Sequence, residues 1–530
     1  MKKVKYLTAL LTAGVLLTAT ACGSTGSEAP AQSAGGEAAA ESAGTSDEAG
    51  LDDRTVTVAR PVDVVGLDPG FLTEDAAVVD NIFDTLVTRD DEENLIPGLA
   101  LSWEQIEGTT WEFKLREGVK FTNGEDFNAE AVKYSIDRVL NPDNNAPTIS
   151  YISTVQEVKV VDDYTVDVIT TDNDPLIPTR FSRYPTEIVA PAYAEEVGQE
   201  EFSQKPVGTG PFMLDSWDKG VSVTLVRNDD YWGDKPEAEK VIFKAIPESS
   251  TRVSALRNGE VDIITNVGAD EVSKIEDSDN AHVSTVERAG NIVYVGLKMD
   301  DPSVPALGDV RVRQALNYAI DVDSIVNNIL KGAAVATNSI IGPADTGYAG
   351  EPEAYPYDPD KAKELLKEAG YENGFTMDLE TVNWYLKNTE VAQAIAGMLS
   401  EVGVTANVKD VENAVYRDTV PAGKQAAAYV LGWSSTTTLD ADAAIYAILH
   451  SGEPYSTYSN PDVDRMLDEA RYATADTDRD GLYAQIQQTY IEDAPRIFLY
   501  QENKYYGVSN RINWEGRIDT KIPISKVTFN

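Results

Sequence analysis

The chain has 530 residues and is strongly acidic, with 44 Lys and Arg against 88 Asp and Glu and a formal charge of −44 at pH 7. This charge excludes nucleic acid as a partner, because nucleic acid gains affinity by releasing counterions to clusters of Lys and Arg. At about 150 residues per domain, the length predicts roughly three or four domains. A hydrophobic content of 42% is ordinary for a soluble protein with large cores.

Cysteine and histidine are scarce, which excludes several kinds of chemistry. The single cysteine, Cys22, cannot form an intramolecular disulfide, a cysteine-rich zinc site or an iron–sulfur cluster. The two histidines, His282 and His450, are too few for most zinc hydrolases. We therefore predict no catalytic residue, no metal site and no cofactor, and a protein that is not an enzyme. A secreted hydrolase that uses carboxylate pairs alone is the alternative.

The amino terminus has the layout of an export signal. Lys2, Lys3 and Lys5 precede an apolar run over residues 6–17, and small residues follow this run. The run is shorter than the about 20 apolar residues that span a bilayer. The layout therefore predicts a signal peptide over residues 1–21.

Cys22 follows this segment directly. The tract Ala19-Thr20-Ala21-Cys22 is similar to a bacterial lipobox, in which the Cys thiol is acylated after cleavage; plain secretion after Ala21 is the alternative. The next residues, up to Gly50, include no aromatic or branched aliphatic side chain, so they cannot bury enough apolar surface to fold. We predict a lipidated Cys22 and a flexible tether over residues 22–54.

Helical and strand patterns alternate in the first part of the remaining chain. Apolar side chains recur at helical spacing over residues 79–86 and predict a helix with one apolar face. Apolar and polar residues alternate over 110–116, which predicts a half-buried strand. Residues 158–168 predict a hairpin that turns at Asp162-Asp163.

The clearest unit lies between residues 358 and 408. Asp358 is a predicted cap for a helix that ends at Gly370. Residues 375–381, 391–402 and 404–408 then read as a strand, a helix and a strand. This β-α-β order predicts a mixed α/β (α+β) fold, and a second mixed lobe is expected before this unit.

Several tracts carry a resemblance to a known family. One of them is Pro206-Val207-Gly208-Thr209-Gly210-Pro211-Phe212. The others lie at residues 96–103, 113–121, 123–124, 127–132, 227–233, 310–321 and 357–362. In this order the tracts resemble bacterial extracellular solute-binding proteins of family 5, the peptide, nickel and glutathione-type receptors of ATP-driven importers, and the resemblance runs from Thr55 to Asn530.

The resemblance implies a two-lobed, type II periplasmic-binding-protein fold that encloses its ligand between the lobes. The larger members of the family carry an inserted subdomain in the first lobe. Applied to this chain, the resemblance predicts the following boundaries: lobe one over residues 55–97, 207–288 and 498–530, the insert over 98–206, and lobe two over 289–497.

The same resemblance implies a function outside the cytoplasm. The expected role is to capture a peptide or peptide-like solute, such as an oligopeptide, a dipeptide or a glutathione-type compound, and to deliver it to an ABC permease and its ATPase subunits. The lipid on Cys22 would hold this monomer at the outer face of the cytoplasmic membrane. A nickel chelate, an oligosaccharide or an opine on the same scaffold is the alternative.

The predicted ligand site centres on a Gly-Trp pair that ends at Trp433. Peptide-binding members of the family often place an Asp three residues after this Trp, where it holds the peptide ammonium. Thr436 stands at that position, and a hydroxyl cannot neutralise a buried cation. The tract from Trp433 to Asp442 is more similar to glutathione-type and related peptide receptors, so Asp440 or Asp442 is expected to hold the amine. The alternative for Asp440 is a helix cap.

Other candidates also have two readings. Trp433 could stack on the ligand or fill a core. Arg313 could bind a ligand carboxylate, or pair internally with Asp309 or Asp321. Trp384 follows a strand where cleft residues are expected, although aromatic residues are more often core. The predicted ligand-binding residues are Trp433, Ser435, Thr436, Asp440, Asp442, Arg313 and Trp384.

An acidic stretch near residue 480 imitates the start of a calcium-binding loop. Asp476, Asp478 and Asp480 have the required spacing, but Gln487 replaces the bidentate Glu at the last ligand position. The simpler prediction is that this stretch is the acidic start of a helix.

Overall fold

The computed structural model describes residues 54–72, 76–435, 438–474 and 477–530. The predicted signal peptide, Cys22, the tether up to residue 53, Thr436 and Asp476 lie outside the described residues. Within the described residues, strands and helices are interleaved along the whole chain.

The strands of the described residues, in chain order, are β1 (Thr55–Arg60), β2 (Val87–Arg89), β3 (Leu95–Pro97), β4 (Ala100–Glu107), β5 (Thr110–Leu115), β6 (Val155–Asp162), β7 (Thr165–Thr170), β8 (Phe212–Asp218), β9 (Ser222–Arg227), β10 (Lys240–Ala245), β11 (Ile263–Ile264), β12 (Ala281–Val286), β13 (Ile292–Leu297), β14 (Ala334–Ala336), β15 (Phe375–Thr381), β16 (Val404–Asp410), β17 (Ala428–Trp433), β18 (Arg496–Glu502), β19 (Lys504–Ser509), β20 (Ile512–Asn513) and β21 (Thr528–Phe529).

The α-helices of the same residues are α1 (Ala129–Leu140), α2 (Ile177–Arg180), α3 (Pro191–Gln204), α4 (Ser249–Arg257), α5 (Val272–Glu276), α6 (Val310–Tyr318), α7 (Val322–Ser324), α8 (Pro359–Glu368), α9 (Asn388–Glu401), α10 (Asn413–Thr419), α11 (Ala441–Leu449), α12 (Pro461–Arg471) and α13 (Arg479–Asp493).

Three larger sheets organise these elements. A seven-stranded sheet has the order β12-β19-β11-β1-β10-β9-β8, and a four-stranded sheet has the order β4-β5-β7-β6. A six-stranded sheet has the order β14-β18-β13-β17-β15-β16. The seven-stranded sheet contains both parallel and antiparallel pairs, such as β1 with β10 and β10 with β9. The mixed α/β prediction is therefore confirmed.

The six-stranded sheet is covered on both faces, which explains why its central strand is apolar throughout. Val293 and Val295 of β13 pack into a core that includes helices α6, α8 and α9. Tyr294, between them, faces the opposite way into a core that includes α11, α12 and α13. Successive side chains of a strand point to opposite faces, so each face of β13 buries its own layer of helices. Each fully buried aliphatic side chain contributes about 1.5–3 kcal/mol.

Local sequence patterns correctly predicted a helix cap, a β-α-β unit, a strand and a hairpin. Asp358 caps α8, because its side chain accepts a hydrogen bond from the main-chain N–H of Lys361 at 2.9 Å. The strands β15 and β16 pair in parallel around α9, as the β-α-β prediction required. The predicted strand over 110–116 and the hairpin over 158–168 correspond to β5 and to β6 with β7.

The helix predicted over residues 79–86 is wrong. The structure has only a short 3₁₀ turn at Val79–Asn81. The carbonyl of Ile82 then accepts a hydrogen bond from the N–H of Gly210 at 2.9 Å, so a distant segment replaces the next helical hydrogen bond. Close packing enforces this exchange, because a Cβ on Gly210 would lie 2.5 Å from the Ile82 carbonyl oxygen. The apolar side chains are nevertheless buried, but in a non-helical segment.

Sheet membership changes at two neighbouring points of the chain. Residues 287–291 lead from β12 of the seven-stranded sheet to β13 of the six-stranded sheet, and residue 503 leads back from β18 to β19. The predicted lobe boundary between residues 497 and 498 falls inside β18, whereas the change of sheet comes at residue 503. The lobe boundaries stay a prediction.

Candidate functional site

The two segments that connect the seven-stranded and six-stranded sheets are hydrogen-bonded to each other. The N–H of Arg288 donates to Asn503 Oδ1 at 3.0 Å, and the N–H of Gly290 donates to the Glu502 carbonyl at 2.8 Å. Arg288 has a φ of 55°, a left-handed conformation that is unusual for a residue other than glycine. A short paired connection of this kind is the geometry of a hinge.

A cavity of about 440 Å³ lies beside this connection. Its walls come from both sides: Thr265 and Tyr505 follow or belong to strands of the seven-stranded sheet, and Leu386 follows β15 of the six-stranded sheet. Ligand pockets commonly have volumes of about 300–1,000 Å³ and lie at domain interfaces. The space between the two sheets is therefore the candidate ligand cleft.

The end of β17 and the residues that follow it, here called the Trp433 segment, contain Trp433 and Ser435, both predicted ligand residues. The Trp433 indole N–H donates to the Ala443 carbonyl at 2.9 Å, and its half-buried ring lies 5.1 Å from that of Tyr455. The Ser435 hydroxyl donates to the carboxylate of Asp345. Burial raises the pKa of Asp345 to about 6, and the Ser435 hydrogen bond works against that rise. These contacts hold the segment against its own lobe.

Asp440 combines a capping role with a buried ion pair. Its Oδ1 accepts a hydrogen bond from the N–H of Asp442 at 2.9 Å at the start of α11. Its two carboxylate oxygens also accept from Arg479 Nη2 at 2.8 Å and Nη1 at 3.0 Å. Only 2% of Asp440 is exposed. The helix cap considered for Asp440 is therefore present, together with a bidentate arginine partner.

Asp442 also forms an ion pair with a bidentate arginine. Its carboxylate oxygens accept from Arg471 Nε at 2.8 Å and Nη2 at 2.9 Å. The Arg471 guanidinium carbon lies 3.2 Å from the centre of the Tyr446 ring. Removing one partner of a buried pair costs about 3–5 kcal/mol, so a ligand ammonium would have to compete with an arginine at either carboxylate. The role of these two residues in ligand binding stays a prediction.

Arg313 lies in α6 and is anchored within the protein. Its guanidinium donates to the carbonyls of Asp493, at 3.0 and 2.6 Å, and of Leu307, at 2.8 Å. The internal partners predicted for it are wrong, because Asp309 pairs with Arg311 and Asp321 caps α7. Main-chain carbonyls at helix ends take the place of those carboxylates.

Among the predicted site residues that the structure describes, Trp384 presents the most surface. Its side chain is 38% exposed, and its ring meets the rings of Tyr385 and Tyr416 edge to face. It stands two residues before Leu386, which lines the cleft cavity. Its place is compatible with the cleft position predicted for it.

A hydrogen bond joins the two sides of the cleft near the Trp433 segment. Arg89, at the end of β2, donates from Nη2 to the carbonyl of Thr438 at 2.8 Å. A second contact brings the four-stranded sheet to the α12 end: Asn173 Nδ2 donates to the Tyr472 carbonyl at 3.1 Å and also to the Ala473 carbonyl. Binding contacts made to both sides at once are what favour a closed arrangement.

Arg89 also belongs to a group of buried charges that the sequence did not reveal. Two cavities, of about 120 and 160 Å³, share the four charged lining residues Asp80, Arg89, Asp519 and Lys521. Arg183 lines the smaller cavity and Glu187 the larger one. We call these two cavities together the charged chamber. Its members are far apart in the sequence, and no local motif marks them.

Two absences hold for the residues that the structure describes. Among them, no helix is long and apolar enough to cross a membrane. No group of three or more His, Cys, Asp or Glu side chains in the same residues could hold a metal ion.

Comparison with known proteins identifies relatives over most of the chain. The glutathione-binding protein GsiB of Pectobacterium atrosepticum is 30% identical over 438 residues, which cover 80% of this chain and 84% of the relative. The dipeptide-binding protein of Escherichia coli K12 is 29% identical over 450 residues, which cover 79% of this chain and 83% of the relative. The solved structure of HbpA2 from Haemophilus parasuis is 25% identical, with a TM-score of 0.82, and the match covers 90% of this chain and 100% of that one.

The family model agrees with these relatives. The model described as bacterial extracellular solute-binding proteins, family 5 Middle, matches residues 94–456. This match spans the four-stranded sheet, most of the seven-stranded and six-stranded sheets, and the Trp433 segment. The chain therefore belongs to the bacterial extracellular solute-binding proteins of family 5.

Proposed function

We propose that this protein captures a peptide or peptide-like solute in the cleft and delivers it to an ABC permease with its ATPase subunits. The observation that carries the proposal is the cleft itself, a cavity of about 440 Å³ beside a paired connection, lined by residues of the seven-stranded sheet and by Leu386, which follows β15 of the six-stranded sheet. Relatives named for dipeptide and glutathione binding support a peptide-like ligand. A solved structure from Helicobacter pylori, 27% identical and titled an ABC transporter-associated periplasmic binding protein in complex with peptide STSA, supports the importer role.

Closure of the cleft would couple capture to delivery. A ligand that contacts both sheets stabilises the arrangement in which Arg89 reaches the Thr438 carbonyl. The permease could then distinguish loaded from empty protein by the relative position of the two sheets. In this scheme the protein binds and releases its solute unchanged and has no catalytic step, in keeping with a family of solute-binding proteins.

The proposed location follows from the amino-terminal sequence. The export signal over residues 1–21 and a lipid on Cys22 would hold the folded part at the outer face of the cytoplasmic membrane, with residues 22–54 as a tether and the protein as a monomer. The test is fractionation of cells that express the wild type or Cys22→Ser. We expect the variant to leave the membrane fraction, and retention of Cys22→Ser in the membrane would contradict the anchor.

The ligand class is tested by thermal unfolding of the full-length chain. The compounds are di- to pentapeptides, glutathione, oligosaccharides, opines and nickel chelates. Each is added at about a hundred times the weakest dissociation constant that the experiment is meant to detect. At that ratio a bound ligand adds about 2.7 kcal/mol to the free energy of unfolding. Stabilisation by a peptide or glutathione supports the proposal. Stabilisation by sugars, opines or chelates alone would contradict the peptide-like ligand and leave the receptor architecture in place.

A further inference from the structure

The charged chamber contains two buried side chains whose charges are not matched by hydrogen bonds. Glu187 is 2% exposed, and neither of its carboxylate oxygens accepts a hydrogen bond from another described residue. Arg183 is 8% exposed, and its Nε and Nη1 have no hydrogen-bond acceptor among the residues that the structure describes. Buried polar groups are normally paired, and each exception needs an explanation.

The surroundings of Arg183 suit an anionic group. Its guanidinium carbon lies 4.4 Å from the centre of the Tyr184 ring and 5.0 Å from that of Tyr151, so aromatic faces support the cation without accepting its N–H groups. The 120 Å³ cavity in front of it is also lined by Lys521. A guanidinium stays charged in a protein. A carboxylate in this cavity would supply the acceptors that Arg183 lacks.

The surroundings of Glu187 suit a cationic group. The 160 Å³ cavity is lined by Glu187 and by Asp84, whose carboxylate accepts from the neutral donors Thr209, Tyr231 and Trp232 at 2.8–3.1 Å. The cations Arg517 and Lys526 also line this cavity, but both are paired with other carboxylates: Arg517 with Asp91, Glu93 and Asp519, and Lys526 with Asp91. Burial, followed by the nearby Asp80 charge, raises the pKa of Glu187 to about 8, although Lys521 and Arg183 act in the opposite direction. An ammonium group in this cavity would favour the ionised carboxylate.

The two carboxylates that the sequence predicted to hold the ligand amine already have arginine partners. Asp440 and Asp442 are each held by a bidentate guanidinium. Glu187 has no such partner, and Asp80 has a lysine, Lys521, at 3.4 Å. The amine of a ligand can therefore meet Glu187 without displacing an arginine.

The chamber also reaches the cleft. Ala77 and Thr520 line both the 120 Å³ cavity of the chamber and the 440 Å³ cleft cavity, so the two spaces adjoin. A ligand that lies in the cleft can therefore place one end in the chamber.

We propose that the charged chamber binds a zwitterionic α-amino-acid head group, with the ammonium at Glu187 and the carboxylate at Arg183. The two charges of such a group lie on one carbon, and the two cavities share four lining residues. This inference rests on the proposed function and narrows it to peptide-like solutes that carry a free α-amino-acid end, as the γ-glutamyl end of glutathione does.

The test compares three tripeptides by isothermal titration of the full-length chain. Glutathione has both charges of the head group, glutaryl-Cys-Gly lacks its ammonium, and 4-aminobutanoyl-Cys-Gly lacks its α-carboxylate. Because hydrogen bonds to charged groups are the stronger ones, the wild type should bind glutathione roughly 10-fold more tightly than either analogue. This comparison needs no variant, so it does not depend on whether a substituted chain folds.

Two substitutions then assign each charge to its residue. Glu187→Gln should abolish the preference for glutathione over glutaryl-Cys-Gly and keep the preference over 4-aminobutanoyl-Cys-Gly. Arg183→Gln should have the reverse effect, and Arg183→Lys should restore part of the lost preference. The control is Glu469→Gln, at an exposed pair with Arg465 on α12, which should change neither preference.

The outcomes separate this inference from the proposed function. Equal binding of all three tripeptides by the wild type would overturn the chamber as a head-group site and leave the receptor standing. Binding of ordinary dipeptides without glutathione would do the same. If no peptide-like solute binds, both the inference and the proposed peptide function fail.

Discussion

The guanidinium of Arg89 donates a hydrogen bond at 2.8 Å to the carbonyl oxygen of Thr438, a residue 349 positions later in the chain. Arg89 is the last residue of β2 in a two-stranded sheet, whereas Thr438 follows β17 of the six-stranded sheet. The acceptor is a main-chain carbonyl, so the contact depends on the position of the Thr438 segment and not on its side chain. This hydrogen bond can form only when Arg89 and the Thr438 segment are close to each other.

Arg89→Met should therefore speed ligand release. Loss of a hydrogen bond from a charged donor is worth about 1.5–3 kcal/mol, which corresponds to a dissociation rate about 10-fold faster or more. Stopped-flow displacement of the solute found by thermal unfolding measures this rate. Arg465→Met removes an exposed arginine on α12 and serves as the control. An unchanged dissociation rate in Arg89→Met would show that the contact does not hold the cleft closed.

Asp440→Asn should destabilise the folded chain. Asparagine can still cap α11, so the substitution isolates the charge that pairs with Arg479 at 2.8 Å. Leaving this arginine unpaired should cost about 3–5 kcal/mol of the free energy of unfolding, measured in urea.

A double substitution, Asp440→Asn with Arg479→Met, should recover much of that loss, because both charges of the buried pair are then gone. Glu469→Gln, at an exposed pair, should cost no more than about 1 kcal/mol. A loss below about 1 kcal/mol in Asp440→Asn would contradict the structural importance of the pair.

Glu187 should make stability depend on pH. Its pKa is about 8 in the folded chain, against 4.5 for an ordinary glutamate. Between these values the folded state holds a proton that the unfolded state has lost, so this group favours folding below about pH 4.5 and loses that contribution as pH rises through about 8. The groups that act on it are Asp80, Arg183 and Lys521.

The measurement is the difference in free energy of unfolding between wild type and Glu187→Gln from pH 5 to pH 8.5. Glutamine does not titrate, so the wild type should lose stability relative to the variant as pH rises, by at most about 1.4 kcal/mol per pH unit. Parallel pH profiles of the two proteins would contradict a raised pKa at Glu187.

Trp384→Phe should weaken ligand binding with little effect on folding. The Trp384 side chain is 38% exposed and stands near Leu386 of the cleft cavity, so the larger ring can stack on a bound solute. Aromatic contacts of this kind contribute about 0.5–1.5 kcal/mol, which predicts a dissociation constant about 2- to 10-fold higher. Titration calorimetry and urea unfolding of the same variant separate the two effects. A stability loss with unchanged affinity would place Trp384 in the core and not in the site.

The sequence predicted those elements whose signals are local. The strand Phe375–Thr381 and the cap at Asp358 depend on alternation and on one side chain next to its own helix, and both were found at the expected residues. The acidic stretch near residue 480 likewise proved to be the start of a helix, α13, which Asp478 caps. The tracts at 206–212 and 310–321 identified the family in the same way.

Long-range partners could not be predicted in this way. Asp440 and Arg479 are 39 residues apart on two helices, and only the packing of α11 beside α12 and α13 brings them together. The burial of Glu187 could not be predicted, because a single glutamate between Pro185 and Pro191 matches no local motif. Residues distant in the sequence bury it when the chain folds. The helix expected at residues 79–86 failed for a related reason, since Gly210 takes the hydrogen bond of Ile82 from a distance.

The central claim is that the chain binds one peptide-like solute and leaves it unchanged. Titration calorimetry of the full-length chain with glutathione and with dipeptides, followed by mass spectrometry of the recovered solute, tests this claim directly. We expect one solute per chain, recovered intact. Conversion of more than one equivalent of solute to product, or the absence of binding by every peptide-like compound, would contradict it.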